Sequence, residues 1–151
     1  MRALVILAIG LGAGCTGPVT QLDLPSADPI VFRDTVYPIL LRDCGFQGCH
    51  GTTKRFFAVF GPGRARLDPA TQPYDPATPY ELALSFTRAK SMLVGPDGPH
   101  SSLLVRKPIP TALGGSGHKG GDDPWGDPVY ASTSDPHYDA IYRWATALEG
   151  P

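Results

Sequence analysis

The run Cys44-Gly45-Phe46-Gln47-Gly48-Cys49-His50-Gly51 constrains this chain more than any other stretch. It gathers two thiols and an imidazole in C-x4-C-H order, so the rest of the domain must fold around a reactive cluster. Glycines stand inside the spacer at Gly45 and Gly48, and a third follows the histidine. Glycine tolerates positive φ, so the spacer is expected to bulge outward while the second thiol and the histidine stay side by side.

Three chemistries fit such a cluster. Covalent haem attachment commonly uses C-x-x-C-H, in which two thiols bond the porphyrin vinyl groups and the adjoining histidine ligates iron. The longer spacer here keeps Cys49 next to His50, so one thioether and the imidazole still address one haem face. Cys44 then only has to reach the other vinyl. A disulfide between Cys44 and Cys49 is the second reading, since exported chains commonly carry them. Zinc is the third, but structural zinc takes four protein ligands. No second Cys or His pair with ligand spacing is present. The local motif favours haem.

A third cysteine, Cys15, makes the count odd, which in an exported protein asks for an explanation. Arg2 is followed by an apolar run, Ala3 to Leu11, and then by Gly12-Ala13-Gly14-Cys15. That is an export signal, too short for a membrane-spanning helix of about 20 residues. Small residues ending in Cys resemble the bacterial lipobox, although Gly12 stands where Leu is usual. Acylation of Cys15 would leave the other two cysteines as a pair. The expected organisation is a signal peptide over residues 1–14, a lipidated N-terminus and tether over 15–27, and one domain over 28–151. The expected location is the periplasmic side of a bacterial cell envelope, anchored to the membrane by lipid. An ordinary cleaved signal, giving a soluble periplasmic or secreted protein, is the alternative. With 13 Lys and Arg against 14 Asp and Glu, nothing suggests nucleic-acid binding.

The 18 Gly and 17 Pro fall mainly outside helical patterns, which predicts a small, loop-rich fold in need of an internal staple. Asp28-Pro29 reads as a helix start. Phe32, Val36, Ile39 and Leu40 continue at helical spacing towards Cys44, with Pro38 set to kink or divide the helix. Phe56, Phe57, Val59 and Phe60 are apolar enough to cover a haem face or to pack in the core, with core packing favoured, and Gly61-Pro62-Gly63 turns the chain. Arg64 and Arg66 are candidates for pairing with haem propionates, because guanidinium binds carboxylate bidentately; otherwise they are solvated. Thr78-Pro79-Tyr80-Glu81 predicts a capping box, followed by a buried stripe of Leu82, Phe86, Ala89 and Leu93. Ser101 to Val105 fits either a helical turn or a strand. Gly114 to Gly121 is a glycine-rich run around His118. Asp135-Pro136 opens a last helix with Tyr138, Ile141, Tyr142, Ala145 and Leu148 as its stripe and Trp144 beside it.

These landmarks carry a resemblance. The run Phe32 to Leu40 leading into Cys44, with Cys49-His50-Gly51, resembles the first helix and haem-binding turn of cytochrome c-like domains found in planctomycete and myxobacterial proteins. Ser102-Leu103-Leu104-Val105-Arg106-Lys107-Pro108, the glycine-rich loop with His118, and Tyr142-Arg143-Trp144-Ala145 resemble the closing part of those domains. The resemblance implies an all-α fold around a single porphyrin. First and last helices should pack together, Phe32 or Val36 meeting Ile141, Tyr142 or Ala145. It implies one-electron transfer to a redox partner protein through haem c. Cys44 and Cys49 would hold the ring, His50 would be an axial iron ligand and His118 the second. Met92 is the alternative to His118, although methionine at a helix end usually fills gaps in a core. His100 and His137 are expected to be exposed. No spacing singles out a nucleophile and its base, so an enzyme is not expected. A peroxidase-like activity would need an open iron face and acid–base groups above it. The rival reading is a disulfide-stapled surface lipoprotein that acts as a binding module without a cofactor.

Overall fold

The computed structural model describes residues 27–116 and 129–147. Cys15, the signal region, the tether up to residue 26, His118 and Leu148 lie outside the described residues. Helices and irregular segments account for nearly everything, and a single isolated bridge, Phe60 to Ala65, is the only β pairing among those residues.

The leading helix runs through three continuous segments: α1 (Pro29–Val31), a π-turn (Phe32–Val36) and α2 (Tyr37–Asp43). Asp28 caps it, Oδ1 accepting from the Ile30 and Val31 N–H groups at 2.7 and 3.1 Å. Pro38 lacks an N–H, and its ring crowds the carbonyl four residues back. The wider π-turn immediately before it gives that ring room, with the Tyr37 N–H reaching back five residues to Phe32 O. The expected kink is therefore a π-bulge, and the helix still delivers Cys44 at its end.

The second helix, α3 (Pro79–Ser91), begins with the expected capping box: the Glu81 N–H donates to Thr78 Oγ1 at 3.1 Å and the Thr78 N–H to Glu81 Oε2 at 2.9 Å. Its inner face holds Ala89, with Leu93 just beyond, and also Glu81 and Ser85, which the hydrophobic pattern does not mark. Ser101 to Val105 is helical, a 3-10 turn (Pro99–Ser101) leading to α4 (Leu103–Arg106). After a second 3-10 turn (Thr111–Leu113), the last described helix is α5 (Pro136–Thr146), capped by Asp135.

The leading helix and α5 pack together. The Phe32 ring lies 5.3 Å from both Trp144 and Phe86, and Val36, Leu40, Ile141 and Ala145 share the same buried cluster. Trp144 is thus the ring partner of Phe32, while Tyr142 turns outward. At about 100° per residue, Tyr138, Ile141, Trp144 and Ala145 share one arc, and burying the large indole moves that arc away from Tyr142. The indole N–H is satisfied as well, donating to Asp28 O at 2.9 Å. Phe57, Val59 and Phe60 enter the interior as expected, whereas Phe56 is 71% exposed.

Candidate functional site

The cysteine–histidine turn begins where α2 ends. Cys44 is the C-cap of that helix, its N–H donating to Leu40 O at 2.9 Å. The chain then folds back on itself. The Phe46 carbonyl accepts from the Cys49 and Gly51 N–H groups at 2.8 and 2.9 Å, and Cys44 O accepts from the His50 N–H at 3.0 Å. These bonds close the six-residue span and bring the backbone of His50 against that of Cys44.

Neither spacer glycine takes the positive φ expected of it. Among the described residues that conformation belongs to Gly61, Gly63, Gly98 and Gly114. The turn needs glycine for close approach instead. A Cβ on Gly51 would lie 1.9 Å from Gly45 O, and one on Gly45 would lie 2.6 Å from Leu41 O. Gly48 has open space around it.

His50 is held at two points by the segment that follows. Its carbonyl accepts from the Val59 N–H at 2.8 Å, and Nδ1 lies 2.9 Å from Phe57 O. A carbonyl only accepts, so Nδ1 carries the proton and the lone pair of the neutral ring is on Nε2. The Phe57 ring packs 4.6 Å from the imidazole. Metal-ligating histidines are oriented by this kind of Nδ1–H to carbonyl bond.

Cys44 and Cys49 are both half-buried free thiols. Their surroundings differ. Cys44 packs against the hydrophobic core. Burial pushes its thiol up to about 12, with Asp43 and then Cys49 adding to the effect. Asp43 itself accepts a hydrogen bond from the buried Tyr130 hydroxyl at 2.8 Å, and burial raises that phenol strongly. Neither Asp43 nor Tyr130 was marked by the motif, because their contact joins positions 87 residues apart.

The two arginines considered for propionates are engaged within the protein. Arg66 forms a bidentate pair with buried Glu81 at 2.9 Å on each side, and it also donates to the carbonyls of Gln72, Asp75 and Pro76. Arg64 donates from Nε to Leu41 O at 2.8 Å and lies across the end of α2. Its guanidinium sits 4.6 Å over the Phe46 ring. Arg64 therefore clamps helix end and turn together, and Arg66 belongs to the interior.

Of the other histidines, His100 is exposed on its 3-10 turn. His137 is half-buried rather than exposed, because Arg42 lies over it, Nη2 being 2.6 Å from Nδ1. Met92 caps the end of α3, packs partly buried against the core, and its carbonyl accepts from the Leu104 N–H at 3.4 Å. The start of the glycine-rich run is pinned to α4, the Ser116 N–H donating to Arg106 O at 3.0 Å and Arg106 Nε to Gly114 O at 3.0 Å.

The donor set fits a covalently attached haem. Two free thiols and one oriented imidazole belong to a single closed turn, and these are the residue types that two thioethers and one axial bond use. Three donors are fewer than the four that structural zinc takes, and among the described residues neither Cys44, Cys49 and His50 nor any other three of His, Cys, Asp and Glu converge as a group that could hold a metal ion. No helix among those residues is long and apolar enough to cross a membrane. The chain matches no protein-family description, no curated protein and no solved structure.

Proposed function

We infer that this protein is an electron carrier of the bacterial periplasm that holds one haem c through Cys44 and Cys49, with His50 as an axial ligand and an acylated Cys15 anchoring it to a membrane. The observation that carries the reading is the Nδ1–H bond from His50 to Phe57 O, made beside two free thiols. It orients the ring and raises the basicity of Nε2, as second partners of ligating histidines do. When bound, haem supplies a one-electron iron couple. The chain supplies attachment, orientation and exclusion of water. The closed turn fixes where both sulfurs stand, and the Val59 and Phe57 contacts prevent the imidazole from turning away. The core around Phe32, Leu40 and Trp144 keeps the two ends of the domain rigid about that turn. His118, in the glycine-rich run, is the proposed second iron ligand.

The test is co-expression with haem maturation machinery, followed by a visible spectrum and a denaturing gel stained for haem. Wild type should retain colour through acid–acetone extraction. Cys49→Ala should lose it, because the change removes a thioether and disturbs His50. A colourless protein of apo mass with a Cys44–Cys49 disulfide would replace this reading with the stapled binding module. Labelled palmitate entering the wild type and not Cys15→Ser tests the anchor.

A further inference from the structure

The turn lies in a part of the chain whose charge differs from the rest. No carboxylate occurs between Asp43 and Asp68, while Lys54, Arg55, Arg64 and Arg66 do. The remainder of the chain sets nine basic residues against all 14 acidic ones. Arg66 is neutralised by Glu81 in the interior, but Lys54 and Arg55 are exposed and Arg64 is half-buried.

A hydrogen bond ties one of these cations directly to the turn. Arg55 donates from Nη2 to Gly48 O at 3.3 Å, which brings its guanidinium onto the loop between the two cysteines. Arg88, in the last turn of α3, donates to the carbonyls of Arg55 and Phe56 and adds another positive charge. Two aromatic rings are exposed among them, Phe46 at 40% and Phe56 at 71%. A single exposed apolar side chain is ordinary. Two rings, each flanked by arginine and grouped around one turn, have the composition that interface centres favour.

We propose that this surface docks an acidic protein, whose carboxylates meet Lys54, Arg55 and Arg88 and whose apolar contact receives Phe56. The proposal rests on the electron-transfer reading, since a one-electron partner must approach the turn that bears the haem, and it names the chemical class of that partner. A positive surface on a chain of net negative charge makes a dipole that orients an acidic partner before contact, an effect that salt screens. An anionic membrane is the competing occupant. The leading helix sets Ala27, where the tether joins, and Cys44 at opposite ends, roughly 25 Å apart at about 1.5 Å per residue. The cationic surface surrounds the turn at the far end of that helix, where a redox partner must approach the haem, which favours a protein.

The experiment uses the full chain and two arms. Haem-loaded, reduced protein is mixed with trianionic hexacyanoferrate(III) or tricationic hexaammineruthenium(III), one electron passing from ferrous protein to the oxidant's metal. The rate with the anion should fall about tenfold from low to physiological ionic strength, and the rate with the cation should rise. Lys54→Glu/Arg55→Glu should remove or reverse both trends. A wild type whose salt dependence follows its net negative charge overturns the proposal. The second arm needs no haem: poly-L-glutamate added to isotope-labelled protein should shift the backbone amides of residues 46–56, and not those of the double variant. Shifts elsewhere, or none, also overturn it. So does binding to phosphatidylcholine vesicles containing phosphatidylglycerol that the double variant loses, if polyglutamate moves nothing. Should the protein carry no covalent haem, the electron-transfer reading fails while the amide shifts still decide the docking.

Discussion

At position 81 the interior encloses a carboxylate, 1% exposed. The Arg66 guanidinium holds it down to about 2, assisted by the Thr78 and Leu67 N–H groups and opposed by burial, which pushes it up. A carboxyl lowered in the folded state contributes stability above its unfolded value, here taken as 4.5, and loses it as pH falls from there towards 2. Glu81→Gln should therefore cost about 3 kcal/mol at neutral pH, because it leaves the Arg66 charge enclosed and unpaired. Its urea midpoint should also fall less steeply than that of the wild type between about pH 5 and pH 2. Equal midpoints for the two proteins at neutral pH would remove this account of the pair. The capping box was legible because its two residues stand one turn apart. The pairing with Arg66 was not, since it spans 15 residues of irregular chain and no periodicity marks which arginine folds inward. The same blindness put Arg66 among the propionate candidates.

One level up, the leading helix and the turn act as a unit. Sequence spacing sufficed for the helix, because Phe32, Val36, Ile39 and Leu40 all face the core and Pro38 announced an irregularity. It did not give the reason for the glycines, which depends on how the loop closes on itself rather than on the conformation of any one residue. The Gly45 carbonyl stands where a Gly51 Cβ would need to be, and backbone cannot step aside as a flexible side chain does. Gly51→Ala should therefore open the turn, costing roughly 1–3 kcal/mol as overpacking does. It should also reduce the fraction of protein that retains haem on a denaturing gel. Gly48→Ala, made in open space, is the control, and its stability should stay within about 0.5 kcal/mol of the wild type. If both variants melt and load haem alike, close approach is not what Gly51 provides. The carbonyl of Phe57, which orients His50, has no sequence signature at all: any residue at 57 carries one.

For the molecule as a whole, the ends were the most legible part. Capping signals and the 3.6-residue period locate the leading helix and α5, whereas the contact between them was an expectation of the resemblance alone; in the fold it buries both apolar stripes together. Val36, Ile141 and Ala145 share the expected cluster, while the ring that meets Phe32 is the indole of Trp144 rather than Tyr142, since spacing alone does not rank an indole above a phenol at the edge of a stripe. The second ligand of the proposed haem iron belongs to this scale, because the two candidates come from different parts of the chain. Met92 belongs to the joint between α3 and α4, packed against the core. His118 lies in the glycine-rich run that leaves α4 through Ser116. A methionine that fills a gap accepts replacement by leucine of similar volume at less than about 1.5 kcal/mol. Met92→Leu should then melt near the wild type and keep its low-spin spectrum. His118→Ala should turn the reduced spectrum high-spin or open it to carbon monoxide. Two histidine ligands also give a lower potential than a histidine with a methionine, so a redox titration of the wild type should place the centre on the low side. A spectrum that changes in Met92→Leu and not in His118→Ala would transfer the ligand to the α3–α4 joint, and with it the expectation of a high potential.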